Sequence, residues 1–224
     1  MTESPWSSNA GRSSEPRRSA RSQPGRLIEI VTVLLLGVAT VGSAWSAYQV
    51  ARWNGVETDE ARASAAFRID GSREFALATQ LVAYDSATVG QVAAASAADN
   101  QPLLDFLRQT LVRPGFAPVL ESWQAQVDAG EIPTNLLADQ DYLDDLFAES
   151  IAADAAAAAA TDLSEEAGTY ADDYIQLTLF FASALFFAGI TASFSNRLSK
   201  LILLFGAGAI LAVAGVLLAG YPVT

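Results

Sequence analysis

The chain has 224 residues, no cysteine, no histidine and a formal net charge of −12. Those absences exclude disulfide staples, thiolate catalysis, Cys/His zinc sites and imidazole acid–base work. The acid is concentrated: residues 51–173 hold six arginines against 22 acidic residues, a net of −16, whereas residues 1–29 and 193–200 are each +2. Phosphates would be repelled by that block, which excludes nucleic acid as a partner. A high-salt habitat also favours such a surface, and composition leaves both explanations open.

Residues 1–26 are rich in Ser, Arg and Pro and poor in aliphatic side chains. Such a composition cannot bury enough surface to offset its ordering entropy, so a disordered cytoplasmic basic tail is expected. Its arginines Arg12, Arg17, Arg18, Arg21 and Arg26 crowd towards the first apolar run, where positive residues mark the cytoplasmic side. An anionic-lipid patch is the sharper alternative.

Residues 27–50 form the first expected transmembrane helix. Ile30 to Tyr48 alone spans ~28 Å at ~1.5 Å per residue, close to the hydrocarbon thickness. A cleaved signal peptide is the rival reading, with Gly42-Ser43-Ala44 as a small-residue site. The apolar run is longer than such peptides carry, and large aromatics follow at once. Trp45, Tyr48 and Trp53 read as membrane-interface anchors. Residues 174–192 and 201–221 carry no charge and read as two further spans. The turn between them, 193–200, carries Arg197 and Lys200, which place it with the N-terminus on the cytoplasmic side. Residues 51–173 and the C-terminus then face outward.

The outward block reads as helical. Val56 to Ala98 contains no proline and much alanine, and Phe67, Gly71, Phe75, Ala78, Leu81/Val82, Val89 and Val92 follow three-to-four spacing. Asp85 falls on the same stripe as an imperfection. Asn54-Gly55 is a candidate kink. Shorter helices are expected over Pro102–Val112 and Pro118–Asp128, separated by Arg113-Pro114-Gly115. A last helix starts near Leu143, with Asp141 as a candidate cap. It passes through Leu146/Phe147, Ile151, the alanine run 155–160, Leu163, Ala167 and Tyr170, and runs without a breaker into the second span. Laid antiparallel, the two long helices differ by ~18 Å of axis, an end that the short helices could cap. The expected fold is all-α: three transmembrane helices with an extracytoplasmic helical hairpin or bundle inserted between the first and second.

The run Ala44-Trp45-Ser46-Ala47-Tyr48-Gln49-Val50-Ala51-Arg52-Trp53-Asn54-Gly55 resembles a Trp-x-x-Tyr-Gln-x-x-Arg-Trp-x-Gly pattern. That pattern follows the first span in a family of small, uncharacterised bacterial three-span integral membrane proteins. Leu177 to Ile190, with its paired phenylalanines and Ala-Gly, resembles their second span. The resemblance implies the three-span plan with an outward helical insert, and it supplies no catalytic residue.

Dense chemistry is confined to Asp139, Asp141, Asp144, Asp145 and Glu149. The glycine and ligand spacing of a calcium loop are missing, and the acidic residues suit a solvated helix start. A carboxylate- or metal-dependent envelope enzyme using Asp141, Asp144 and Asp145 is the alternative. Against it, the loop-poor block offers little material for a cleft. No ionisable residue lies mid-span, which argues against a proton relay in one subunit. Small residues recur at Gly37, Gly42, Ala188, Ala192, Gly208, Ala212, Gly215 and Ala219, spacing that permits close packing among the spans or a small oligomeric channel. The sequence therefore points to a non-enzymatic plasma-membrane protein without a cofactor, an accessory or sensor-like subunit. Its expected partners are the lipid bilayer and either another protein or further copies of itself.

Overall fold

The computed structural model describes residues 23–133 and 135–224. Arg12, Arg17, Arg18 and Arg21, expected to mark the cytoplasmic side, lie outside the described residues. Among the described residues five α-helices follow in chain order: α1 Gln23–Ala97, α2 Gln101–Thr110, α3 Ala117–Asp128, α4 Gln140–Ile190 and α5 Arg197–Gly220. Short 3-10 turns lie at Leu136–Ala138 and Thr191–Ser193. No strand occurs among the described residues. The fold is all-α, and α1, α4 and α5 each hold a stretch long and apolar enough to cross a membrane.

Local chemistry explains the boundaries. Asp99 (φ 50°) and Gly130 (φ 77°) take the left-handed conformation that stops α1 and α3. The Asn100 side chain caps α2 by accepting from the Leu103 amide, and Asn196 caps α5 by accepting from Leu198. The cap of α4 is Asp139, whose Oδ1 accepts from the Tyr142 amide at 3.1 Å; Asp141, the expected cap, lies inside the first turn. At Asn54-Gly55 the helix continues without interruption.

Two compact units are present. One joins the described residues up to Ala47 with Tyr174–Tyr221; the other joins the described residues of Tyr48–Asp173 with Pro222–Thr224. In the first, the apolar unit, α1 buries Ala39 and Ser46, α4 buries Leu177, Phe181, Ala184 and Ala188, and α5 buries Leu204, Ala207 and Ala214. Gly42 is needed where it stands, because a Cβ there would come 2.5 Å from the Phe181 ring. The small-residue pattern of the third span is used differently from expectation: Ala207 and Ala214 are buried, whereas Ala212, Gly215 and Ala219 are exposed. Large apolar side chains such as Leu34, Phe205 and Val216 point outward from this unit.

In the second, the acidic unit, α1 and α4 run antiparallel. Ser64 Oγ donates to the Ala157 carbonyl (3.0 Å), and Ser164 Oγ donates to the Glu57 carbonyl (3.0 Å). The face of α1 that is buried repeats every seven residues: Ser64, Gly71, Ala78, Asp85 and Val92. On α4 the seam buries Ser150, Ala157, Ala160, Ala167 and Ala171. Small side chains thus line both faces, which lets the backbones approach closely. Gly71, Ala78 and Val92 of the expected α1 stripe and Ala167 of the α4 stripe are buried, but the large residues between them are not. Phe67 and Phe75 on α1, and Ile151 and Leu163 on α4, are exposed, and Phe75 instead lies against Phe147 with ring centroids 5.3 Å apart. These large apolar residues share the helical period, but a seam built on alanine and serine has no room for them.

The far end of this unit holds its larger core. Val92 and Ala95 of α1, Leu104 and Leu107 of α2, Phe116 and Leu120 at α3, and Tyr142 of α4 form one buried cluster. The two short helices cover the end of the long pair.

Candidate functional site: a buried carboxylate at the core of the acidic unit

Asp85 is wholly buried, at 0% exposure. An ionised carboxylate without partners would be strongly disfavoured there, so its surroundings must supply donors. Arg113, in the connection between α2 and α3, donates from Nε to Oδ2 (2.9 Å) and Oδ1 (3.1 Å), and from Nη2 to Oδ2 (2.6 Å). The Tyr142 hydroxyl donates to Oδ2 at 2.8 Å. Three chain segments therefore converge on one carboxylate.

Each donor is positioned from behind. The Arg113 guanidinium lies 5.9 Å from the Phe116 ring centroid, and Phe116 meets Tyr142 edge-on with centroids 5.8 Å apart. Gly115 leaves space for the guanidinium, since a Cβ there would sit 3.1 Å from Arg113 Nη1. At the C-cap of α2, the Leu111 carbonyl accepts from the Tyr84 hydroxyl at 2.7 Å, tying α1 to the same connection. The Asp85 hydrogen bond and charge hold the Arg113 proton more firmly than usual. Burial, with the Asp85 bond acting in the same direction, pushes the Tyr142 phenol up to about 12.

Chemically this is a fastener. Both carboxylate oxygens already accept protein donors, and no face of Asp85 is open to a substrate. A general base needs an approachable proton, which this group lacks.

The sequence contained half of the signal. Asp85 is visible in the sequence only as an imperfection in an apolar helical stripe. Arg113 read only as part of a helix-breaking turn, and Tyr142 only as a neighbour of aspartates. Nothing local brings positions 85, 113 and 142 together.

The residues singled out from sequence lie elsewhere. Trp45 and Tyr48 are exposed, while Trp53 is half-buried, its ring centroid 4.8 Å from that of Tyr170. In the acidic unit, Gln49 is fully buried and its Oε1 accepts from the Thr224 hydroxyl at 3.0 Å. Gln49 Nε2 and Trp53 Nε1, one turn apart, are buried donors with no acceptor among the described residues. Arg26 and Arg197 are exposed and Lys200 half-buried. Asp144 accepts from the Gln140 amide at 2.6 Å, and Asp141 and Asp145 are exposed. No group of three or more potential metal-ligating side chains assembles among the described residues. A hydrogen bond from the Tyr170 hydroxyl to Glu166 raises that phenol above its ordinary value.

No protein-family model, curated protein or solved structure matches the chain. Its function has to be argued from its own residues.

Proposed function

We propose that the chain is a three-span protein of the plasma membrane whose acidic unit faces outward as a helical hairpin with a two-helix cap. It works there by contact, as an accessory or sensor-like subunit and not as an enzyme. The observation that carries this reading is the apolar side chains left exposed on an acidic unit. Ile69, Phe75, Leu77, Ile151 and Leu163 are each 46% exposed or more, although the alanine seam beside them is closed. In this reading such side chains, apolar on so charged a unit, are points of contact with a partner.

Orientation rests on Arg17, Arg18, Arg21 and Arg26 before the first span and on Arg197 and Lys200 before the third, which place both on the cytoplasmic side. Arg197 and Lys200 open α5, where a cation opposes the helix dipole by roughly 0.3–1 kcal/mol each. Cations in so unfavourable a place support a topological role. Trp45, Tyr48 and Trp53 are read as the outer interface belt.

Site-specific photo-crosslinkers at Ile69, Ile151 and Leu163 in intact cells test the reading. A discrete adduct with another protein is the expected result. No adduct at any of these positions, together with a lone monomer after extraction in mild detergent, would refute it.

A further inference from the structure

On the acidic unit, α1 and α4 flank an open groove of about 590 Å³. Its floor and walls are Leu77, Ala78 and Leu81 from α1 and Leu146 from α4; Glu74, Asp145 and Glu149 stand on its rim. Tyr84 closes one end, its ring fixed by the hydrogen bond to the Leu111 carbonyl. Ala78 is buried, Leu81 and Leu146 are half-buried, and Leu77 is 46% exposed. The groove thus offers a graded apolar surface.

The rim is uncompensated. Neither Glu74, Asp145 nor Glu149 takes an ion pair or hydrogen bond among the described residues, although arginines on the same unit pair with Asp59, Asp70 and Asp85. From Glu74 to Tyr84 is ~15 Å of helix axis, close to three turns. An apolar trough of that length between two helices receives the apolar face of a third, as in helix-in-groove recognition. A second copy of the acidic unit would bring its own −16 block against the rim and be repelled.

We infer that this groove is the docking site for a short cationic amphipathic helix of a partner protein. Leucine-like side chains seat against Leu77, Leu81 and Leu146, and Lys or Arg side chains on the helix flanks meet Glu74, Asp145 and Glu149. The inference rests on the contact role proposed above and specifies the chemistry of the partner.

The test uses the full-length protein in zwitterionic-lipid nanodiscs, with empty discs as blank. The probe is a fluorescein-labelled synthetic leucine–lysine peptide of helical period, with a leucine–glutamate peptide of the same pattern as its counterpart. The lysine peptide is expected to bind and the glutamate peptide to fail. Neutralising the rim (Glu74→Gln, Asp145→Asn, Glu149→Gln) is expected to weaken binding about tenfold or more, and Leu77→Ser about fivefold. Neutralising three acids elsewhere (Asp162→Asn, Glu165→Gln, Asp172→Asn) removes the same charge and is expected to weaken it less than about threefold. Equal loss in the two triple variants, or no loss with Leu77→Ser, would overturn the inference, because binding would then reflect general charge alone.

A crosslinker at Leu77 separates the two levels of the argument. A protein adduct at Ile151 with none at Leu77 overturns the groove and leaves the contact role standing. No adduct at Leu77, Ile69, Ile151 or Leu163, with a lone monomer after extraction in mild detergent, removes the contact role itself.

Discussion

The Asp85 carboxylate takes three hydrogen bonds from the Arg113 guanidinium, the shortest 2.6 Å, although the two residues stand 28 positions apart in the chain. With Tyr142 they join α1, the α2–α3 connection and α4 at a single point. The acidic unit's larger core is assembled around that point.

Breaking the pair on one side should therefore be costly. Asp85→Asn leaves the Arg113 guanidinium without its charge partner, and a loss of about 3 kcal/mol is expected. Replacing the whole set by Asp85→Leu, Arg113→Met and Tyr142→Phe should return stability to within about 1 kcal/mol of the parent, since apolar packing substitutes well for a buried ion pair. Denaturant unfolding followed by circular dichroism measures both. A triple variant as unstable as Asp85→Asn alone would refute this account.

Tyr142 gives the acidic unit an alkaline limit. Its phenol is raised from 10.0 to about 12 in the folded chain, so the unfolded chain ionises first. The stability it contributes is complete below pH 10 and is lost as pH rises through about 12. Tyr142→Phe should flatten the fall in melting temperature over that window. It should also lower stability at neutral pH by about 1.5–3 kcal/mol, the worth of one hydrogen bond to a charged group.

Gly42 and Gly37 make a matched pair in the apolar unit. A Cβ at Gly42 meets the Phe181 ring at 2.5 Å, whereas one at Gly37 meets nothing within 4 Å. Gly42→Ala should destabilise by about 1–3 kcal/mol through overpacking, and Gly37→Ala should be close to neutral. Adding Phe181→Leu to Gly42→Ala should recover part of the loss. Melting in detergent micelles reads all three.

The alanine run predicts an alternation of tolerance. Ala157 and Ala160 are buried, and Ala158 and Ala159 are exposed. Ala157→Leu should force α1 and α4 apart at a cost of about 1–3 kcal/mol, while Ala158→Leu should be tolerated. Equal effects at 157 and 158 would contradict the seam described above.

Much of the architecture was legible in the sequence. Proline, Asp-Asn and Arg-Pro-Gly punctuation set the short helices within a residue or two, because those signals act through local backbone geometry. Faces were less legible. Of the stripe expected on α1, Gly71, Ala78 and Val92 are buried, whereas Phe67 and Phe75, with Ile151 and Leu163 of α4, fit the helical period and are exposed; Ser64, Ala157 and Ala160 complete the buried faces. Hydrophobic size is a poor guide where two backbones pack at alanine distance. The site was half visible: Asp85 broke its stripe, but its partners are joined to it by tertiary contacts that no local pattern encodes.

The reciprocal serine bonds across the seam have one more consequence. Six consecutive alanines present the same small knob at every step, so sliding α4 along α1 by a turn would alter little in what is buried. Such a track has no preferred stop of its own. Ser64 on the Ala157 carbonyl and Ser164 on the Glu57 carbonyl, seven residues apart on each helix, act as two detents that engage together in one alignment. Along the alanine run, register is therefore chosen by two hydroxyls, and Ser64→Ala with Ser164→Ala would leave the Tyr142–Asp85 bond to hold the alignment from one end.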